Sequence, residues 1–532
     1  MKILYVSNDS VLGGAAFSLI NSISIMKSMA EVIVILPKEG NVSNYLSEIG
    51  ISYRIIPFQR DYFPLKSFNP DKSFELLSDN YFAALEVAKI IEDEQIDIVH
   101  TNSSVGNVGI IAALLTDRPH VWHIRELMEE DFFSCYFDKA YKTKLFGASD
   151  RIVTISDYVK SSFLKKYNID SIRIYNGIDR GKIDSSETAR ENNSFLFAGK
   201  ICESKGQFDA VKTVNRLVNN DGIDIKLYIV GDGDGRYIWA IKQYIKKYKL
   251  DDYIEIISFQ NNLALWRKTC QYAIVGSKME ALGRVTVEAM TSKQLVIGAN
   301  TGGTIELIGR DNQRGFLYDE GDVESLANTI KAAILLPQER KDEIINSAYD
   351  FGIQVFDTKK YADRIFELYV DTINSYEKTD AKSEILQDII INSEKNKQKR
   401  IIKDEIVCNP ARQLSDKIRS LENRGIEISQ YFVLNHISSV AIYGMGNFGC
   451  KVYEELLHGG ITINYVIDNN PEYINEFIKV ISPNDAFQDA ELIIVCVAAE
   501  EKSLVEYINN RGMVRAIGLS DIIDNLLKEY PV

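Results

Sequence analysis

"YAIVGSKMEALGRVTVEAM", residues 272–290, contains a strand, a loop and a helix in order. "YAIVG" (272–276) is a short apolar run ended by Gly276, Ser277 opens the loop, and helical periodicity is expected from near Leu282. Two glutamates, Glu280 and Glu288, lie eight residues apart. Eight helical steps leave side chains roughly 80° apart, a poor arrangement for a metal site or an acid/base pair on one helix face. Glu280 is therefore expected in the loop and Glu288 about a turn and a half inside the helix. Backbone N–H groups of Ala281, Leu282 and Gly283 at the helix start would face the crevice beyond the strand.

The same alternation runs through the chain. Strands are expected at 2–7, 31–36, 53–57, 97–101, 120–124 and 151–156, then at 194–199, 225–231, 253–258, 272–276 and 295–299. Short apolar strands separated by helical patterns indicate parallel sheets of βαβ units. The polar stretch near 176–193 reads as a linker, and 358–374 as a helix closing the second unit. From 376 to 436 the chain reads as charged helix without strands. Lys395, Lys397, Lys399, Arg400 and Lys403 cluster there, as a solvated face or as a contact with anionic lipid or a partner. Leu414, Ile418 and Leu421 repeat at helical spacing and could meet a second chain or dock on the rest of the protein.

A third α/β unit begins at "SVAIYGMGNFG" (439–449). Gly444, Gly446 and Gly449 follow a strand and open a helix, and Asp468 ends the next strand. That is the context of a dinucleotide fingerprint, although the unit is about half the usual size. It reads either as a nucleotide site or as an assembly module whose glycines serve only a tight turn and close packing.

Bulk properties narrow the classes. A chain of 532 residues holds several domains. The net charge of -14 argues against nucleic-acid binding. Six cysteines without paired spacing fit reduced thiols, and no apolar run is long enough to span a bilayer. A cytoplasmic protein, at most peripheral at a membrane, is expected.

Ligands of open parallel sheets bind beyond the carboxyl ends of the strands, and four loops there are chemically loaded. Gly13 and Gly14 allow close backbone approach to an anion, or a tight turn. His123 lies at the end of an apolar strand, as a ligand contact or a core residue. Lys200 and Lys205, five apart within "GKICESKG", suit a diphosphate. The fourth loop holds Glu280. Asp232 and Asp234 in "GDGDG" form an Asp-x-Asp, but hard-cation sites gather more oxygen ligands than one such pair.

These motifs, with "YNGID", "VGDGD" and "GGTIELI" (302–308), occur in the order found in the retaining GT-B glycosyltransferases of family four, which residues 1 to about 375 resemble. The resemblance implies two Rossmann-like domains facing across a cleft: an acceptor-side domain at 1–185, with helix 358–374 packing back on it, and a donor domain at 186–357. A helical connector (376–436) and a third small Rossmann-like domain (437–532) would follow. It implies that Lys200 and Lys205 hold the diphosphate of a UDP- or GDP-linked sugar and that Glu288 takes the ribose. Glu280, with the N–H groups of Leu282 and Gly283, would bind the transferred sugar. His123 would sit beside that sugar, and Gly13 and Gly14 would border the diphosphate and acceptor. No metal or other cofactor is expected. The expected acceptor is a glycan, a lipid-linked group or a protein, and 376–436 could support a homo-oligomer. The rival readings are an NAD(P)-dependent oxidoreductase or epimerase acting through Gly444, Gly446, Gly449 and Asp468, and a non-catalytic scaffold.

Overall fold

The computed structural model describes the chain except residues 12, 65–69, 133, 137, 179–189, 261, 401–409, 470–477, 486, 488, 513 and 531–532. Its first part contributes β1 (Lys2–Ser7), β2 (Glu31–Leu36), β3 (Ser52–Ile55), β4 (Tyr62–Pro64), β5 (Ile98–Asn102), β6 (His120–Ile124), β7 (Ser134–Tyr136), β8 (Arg151–Thr154) and β9 (Ile172–Arg173). Seven of these form a parallel sheet in the order β3-β2-β1-β5-β6-β8-β9, while β4 and β7 pair antiparallel. The next part contributes β10 (Glu191–Ala198), β11 (Lys226–Val230), β12 (Ile254–Ile257), β13 (Cys270–Val275), β14 (Leu295–Ala299) and β15 (Phe316–Tyr318). They form a parallel sheet ordered β12-β11-β10-β13-β14-β15. In both sheets the strand order reverses beside the first strand, which opens a crevice at the carboxyl ends.

A third parallel sheet, ordered β18-β17-β16-β19-β20, is built from β16 (Ser439–Tyr443), β17 (Thr462–Ile467), β18 (Val480–Ile481), β19 (Leu492–Val495) and β20 (Ala516–Gly518). The α/β class expected from the alternation of apolar runs is the one observed. The short strands β4, β7, β9 and β15 escape that reading, because two or three residues give no periodicity to detect.

The helix Thr358–Asn374 packs on the first sheet's elements. The Tyr369 hydroxyl donates to the Tyr5 hydroxyl at 2.8 Å and lies 2.7 Å from His100 Nδ1, all three groups buried. These bonds satisfy polar groups that would otherwise be costly inside an apolar cluster of Ile3, Ile23, Val34 and Leu368.

The chain divides into two compact units, one of residues 1–199, 204–231 and 253–404 and one of residues 200–203, 232–252 and 405–532. The segment 376–436, expected as a helical connector, is divided between the two units. The helix Asp380–Arg400 belongs to the first unit, where Ile389 is buried in the core, Ser78 Oγ donates to the Ser393 carbonyl at 3.1 Å and Lys382 pairs with Asp150 at 2.6 Å. The helix Pro410–Asn423 belongs to the second unit and packs on the helix Leu519–Glu529, with Lys417 2.6 Å from Asp524. Leu414, Ile418 and Leu421 are buried there, so that ridge is consumed within the chain and is not open to a second copy. The side chains of Lys395, Lys397, Lys399, Arg400 and Lys403 lie outside the described residues.

Ile389→Ala should destabilise the first unit by about 2–4 kcal/mol through the cavity it leaves. The exposed Ile391 on the same helix should tolerate alanine. Denaturant unfolding, with hydrogen exchange of the neighbouring helix Val108–Thr116, reads the difference.

Candidate donor and acceptor site

The loop after β13 is held by backbone packing. Its helix, Arg284–Thr291, starts two residues later than expected, because Gly283 caps it at φ +95°, a left-handed conformation that favours glycine. Gly302 and Gly303, which open the helix Gly302–Ile308, lie against Glu280, Ala281 and Leu282 so closely that a Cβ on either would strike that backbone. Gly303 N–H donates to the Glu280 carbonyl at 2.7 Å, and Thr301 Oγ1 donates to the Ser277 carbonyl at 2.9 Å. Ser156 Oγ, at the start of the helix Asp157–Tyr167, donates to the Ala281 carbonyl at 2.5 Å. On the other side, the turn ending at Gly206 packs on Gly276, and Lys278 N–H donates to the Ser204 carbonyl at 2.9 Å.

These contacts place Lys205 Nζ 2.7 Å from Glu280 Oε2, with both groups part-exposed. Glu288 does not join that pair. Its Oε2 accepts from Arg267 Nη2 at 2.5 Å and its Oε1 from Arg284 Nε at 2.7 Å. Burial disfavours the Glu288 charge, but the two guanidiniums outweigh it and hold the carboxyl below its ordinary range. The guanidinium of Arg284 also stacks 4.6 Å over the ring of Phe17, on the helix Gly14–Met26. Lys205, Arg267 and Arg284 against Glu280 and Glu288 leave a net charge of three minus two, or +1. Arg267 and Arg284 had no assigned role at the sequence level; Arg284, inside the Glu280–Glu288 stretch, was the legible one.

Gly13 and Gly14 begin the helix Gly14–Met26 with no positive φ, and a Cβ at either would meet open space. The turn there does not require glycine, while an approaching ligand benefits from it.

A buried polar layer lies at the carboxyl ends of β1, β5 and β6. Arg125 reaches Asn102 Oδ1 and Asn176 Oδ1, each at 2.6 Å, and the Tyr361 hydroxyl at 3.3 Å. Its Nη2 lies 3.4 Å from Nδ1 of His123. Burial, reinforced by Arg125 and His100, depresses the His123 pKa well below the usual histidine value, so the ring is neutral at physiological pH. Among the described residues, His123 Nε2, Asn102 Nδ2 and both polar atoms of the Asn8 side chain are buried without a hydrogen-bond partner. Unsatisfied buried polar groups are costly unless something completes them. Asn176 lies in the "YNGID" motif, whereas Asn8, Asn102 and Arg125 have no assigned role at the sequence level. They come from loops and strand ends far apart in the chain, with no spacing to mark them.

In the second unit, Lys200 is exposed and Ile201 pairs with Gly233. Asp234 is an N-cap: its Oδ1 accepts the N–H groups of Arg236 and Tyr237 at 2.9 and 3.2 Å. The Asp-x-Asp thus already has a helix-capping use. Gly444 has φ +90°, and a Cβ on Gly449 would strike the Gly444 carbonyl, so these two glycines serve the turn and its packing. Gly446 faces open space at the start of the helix Asn447–His458. Asp468 Oδ2 accepts the Met445 N–H at 2.8 Å, and its Oδ1 pairs with Arg236 at 3.4 Å.

Comparison with known proteins agrees with the fold. Residues 14–182 match the family described as Glycosyltransferase Family 4, and residues 179–351 match Glycosyl transferases group 1. An uncharacterized glycosyltransferase of Methanocaldococcus jannaschii is 28% identical over 265 residues, 47% of this chain and 69% of the relative. The capsular polysaccharide biosynthesis glycosyltransferase CapH of Staphylococcus aureus is 21% identical over 311 residues, 56% of this chain and 81% of CapH. The crystal structure of Anabaena HepE in complex with UDP shares the fold with a TM-score of 0.58 at 20% identity, covering 70% of this chain and all of that one. Both halves of the two-domain architecture are matched in order, and the chain is a GT-B glycosyltransferase.

Proposed function

We propose that the protein is a retaining, metal-independent glycosyltransferase that moves a sugar from a UDP- or GDP-linked donor to an acceptor in cell-surface polysaccharide synthesis. The observation that carries this reading is the pinned loop that presents Glu280 against Lys205 while Glu288 is held separately by Arg267 and Arg284. The excess positive charge suits the charge that develops on a leaving diphosphate, and a fixed site needs little reorganisation as it forms. Glu280 binds hydroxyls of the transferred sugar, with the Ala281, Leu282 and Gly283 backbone beside it, and Glu288 keeps lone pairs for ribose hydroxyls. Lys205, with Lys200 earlier in the same loop sequence, supplies charge to the diphosphate, and the open space at Gly13 and Gly14 admits it. The buried polar layer around His123 and Arg125 offers unsatisfied groups to the sugar and acceptor. UDP and UDP-glucose complexes of HepE support a uridine donor, and CapH supports the polysaccharide setting.

Hydrolysis of UDP- and GDP-sugars, screened in EDTA with the product anomer read by NMR, tests the proposal. An α-linked donor should give the α anomer first, at a rate that chelator does not change. Inversion of the anomer would overturn retention, and loss of activity restored by Mg²⁺ would overturn metal independence.

The two glutamates should separate kinetically. Glu280→Gln should lower kcat by about 100-fold if its contact tightens in the transition state, while Glu288→Gln should mainly raise the donor KM. Equal effects on KM alone would remove the assigned roles.

His123 should act as a neutral hydrogen-bonding group. His123→Gln should retain more activity than His123→Ala. Because burial lowers the pKa of His123, the imidazole charges only in acid, so kcat should show no step from this residue between pH 6 and 8. A step there that disappears in His123→Gln would contradict the assignment.

A further inference from the structure

The glycine-rich loop at 444–449 resembles a nucleotide cradle, yet its acidic partner is already engaged. In a dinucleotide site the carboxylate at the end of the second strand takes ribose hydroxyls. Here one Asp468 oxygen accepts the Met445 N–H and the other pairs with Arg236, at side-chain exposures of 12% and 21%. A ribose would have to displace a half-buried guanidinium.

We propose that this crevice is a socket for the helix Gly235–Lys247, and that Arg236 and Asp468 are positioning residues for the basic loop that begins at Lys200. Its consequence for donor binding rests on the function proposed above.

The contact is built over more than one turn. Gly235 opens the helix close to Asn447, whose Oδ1 would lie 3.0 Å from a Cβ placed there. One turn on, the rings of Trp239 and Tyr453 meet edge to face at 5.1 Å, both buried. The N-terminal side of the same helix is tied to the basic loop. Ile201 N–H donates to the Asp232 carbonyl at 3.0 Å, and Asp234 N–H donates to the Ile201 carbonyl at 2.8 Å. Gly233 between them has no Cβ, which would otherwise strike the Ile201 carbonyl. Asp234 in turn caps the helix that carries Arg236. An unbroken series of bonded groups therefore runs from Asp468 through Arg236 and Asp234 to Ile201, the neighbour of Lys200, and these residues belong to one compact unit. The third sheet has the attributes of a buttress: it limits the conformations of the loop that carries Lys200, and so lowers the ordering cost of an anion that this loop binds.

The test uses full-length protein with Asp468→Asn, Arg236→Gln and the conservative Asp468→Glu. Hydrogen exchange of peptides spanning 199–206 and 231–236 should speed up in the first two variants and return toward wild type in the third. UDP affinity, measured by calorimetry, should fall roughly 3- to 10-fold in the first two, the range of a modest coupling free energy. Unchanged exchange in both Asp468→Asn and Arg236→Gln would overturn the buttress. So would NAD⁺ protection of peptides at 444–450 in the wild type that Gly446→Val abolishes, since the crevice would then be a ligand site. Faster exchange in the variants of a wild type that does not bind UDP would uphold the buttress and remove the uridine donor reading instead.

Discussion

The site depends on a close approach between two backbones. Glu280 to Leu282 lie against Gly302 and Gly303, where neither glycine can carry a side chain, and the Gly303 N–H closes the contact on the Glu280 carbonyl. A loop between a strand and a helix would otherwise keep several conformations, each costing entropy to select when ligand arrives. Pinned this way, with Ser156 holding the Ala281 carbonyl from the other half, the loop backbone is fixed and its carboxylate lies against Lys205. "GGTIELI" is thus the packing surface against which the Glu280 loop lies.

Charge follows from that placement. A lone lysine near a crevice would be a flexible, hydrated cation, whereas Lys205 is held by Glu280 at 2.7 Å. Glu288 shows the opposite arrangement, one carboxylate between two guanidiniums, with Arg284 also stacked on Phe17 of the first half. Burial alone would push the Glu288 carboxyl towards neutrality; the paired arginines keep it ionised. Removing either arginine would leave the carboxylate closer to its desolvation cost, so these three residues behave as one group.

Much of this was legible before any coordinates. The parallel sheets follow from apolar runs of five or six residues between helical patterns, and "HVWHI", "EVIVIL" and "LVIGA" became β6, β2 and β14 without adjustment. The Glu280 loop was legible because a strand, a glycine and a helix start stand side by side in the chain. What escaped was whatever depends on distant residues meeting. Arg125 meets Asn102 and Asn176, from "YNGID", only when strand ends align, and Arg267 reaches Glu288 from a separate short helix. The apolar repeat of Leu414, Ile418 and Leu421 was visible, but its partner, the helix Leu519–Glu529, lies a hundred residues away. Periodicity shows that a face is buried and is silent on what buries it.

The two halves of the transferase fold are joined by a polar contact as well as by the apolar core. Glu306, on the helix opened by Gly302, accepts the N–H groups of Asp157 and Tyr158, both at 3.1 Å, and bonds to the Tyr175 hydroxyl. A carboxylate at a helix N-terminus satisfies orphan donors and meets the positive end of the dipole, an effect of about 1 kcal/mol. That is enough to bias an arrangement of the halves and too little to lock it. Ser156, the residue just before the capped turn, is the one that holds the Ala281 carbonyl. The cap and the Glu280 loop are therefore linked through a single helix start: Glu306 binds its first N–H groups while Ser156, one residue earlier, holds the loop carbonyl.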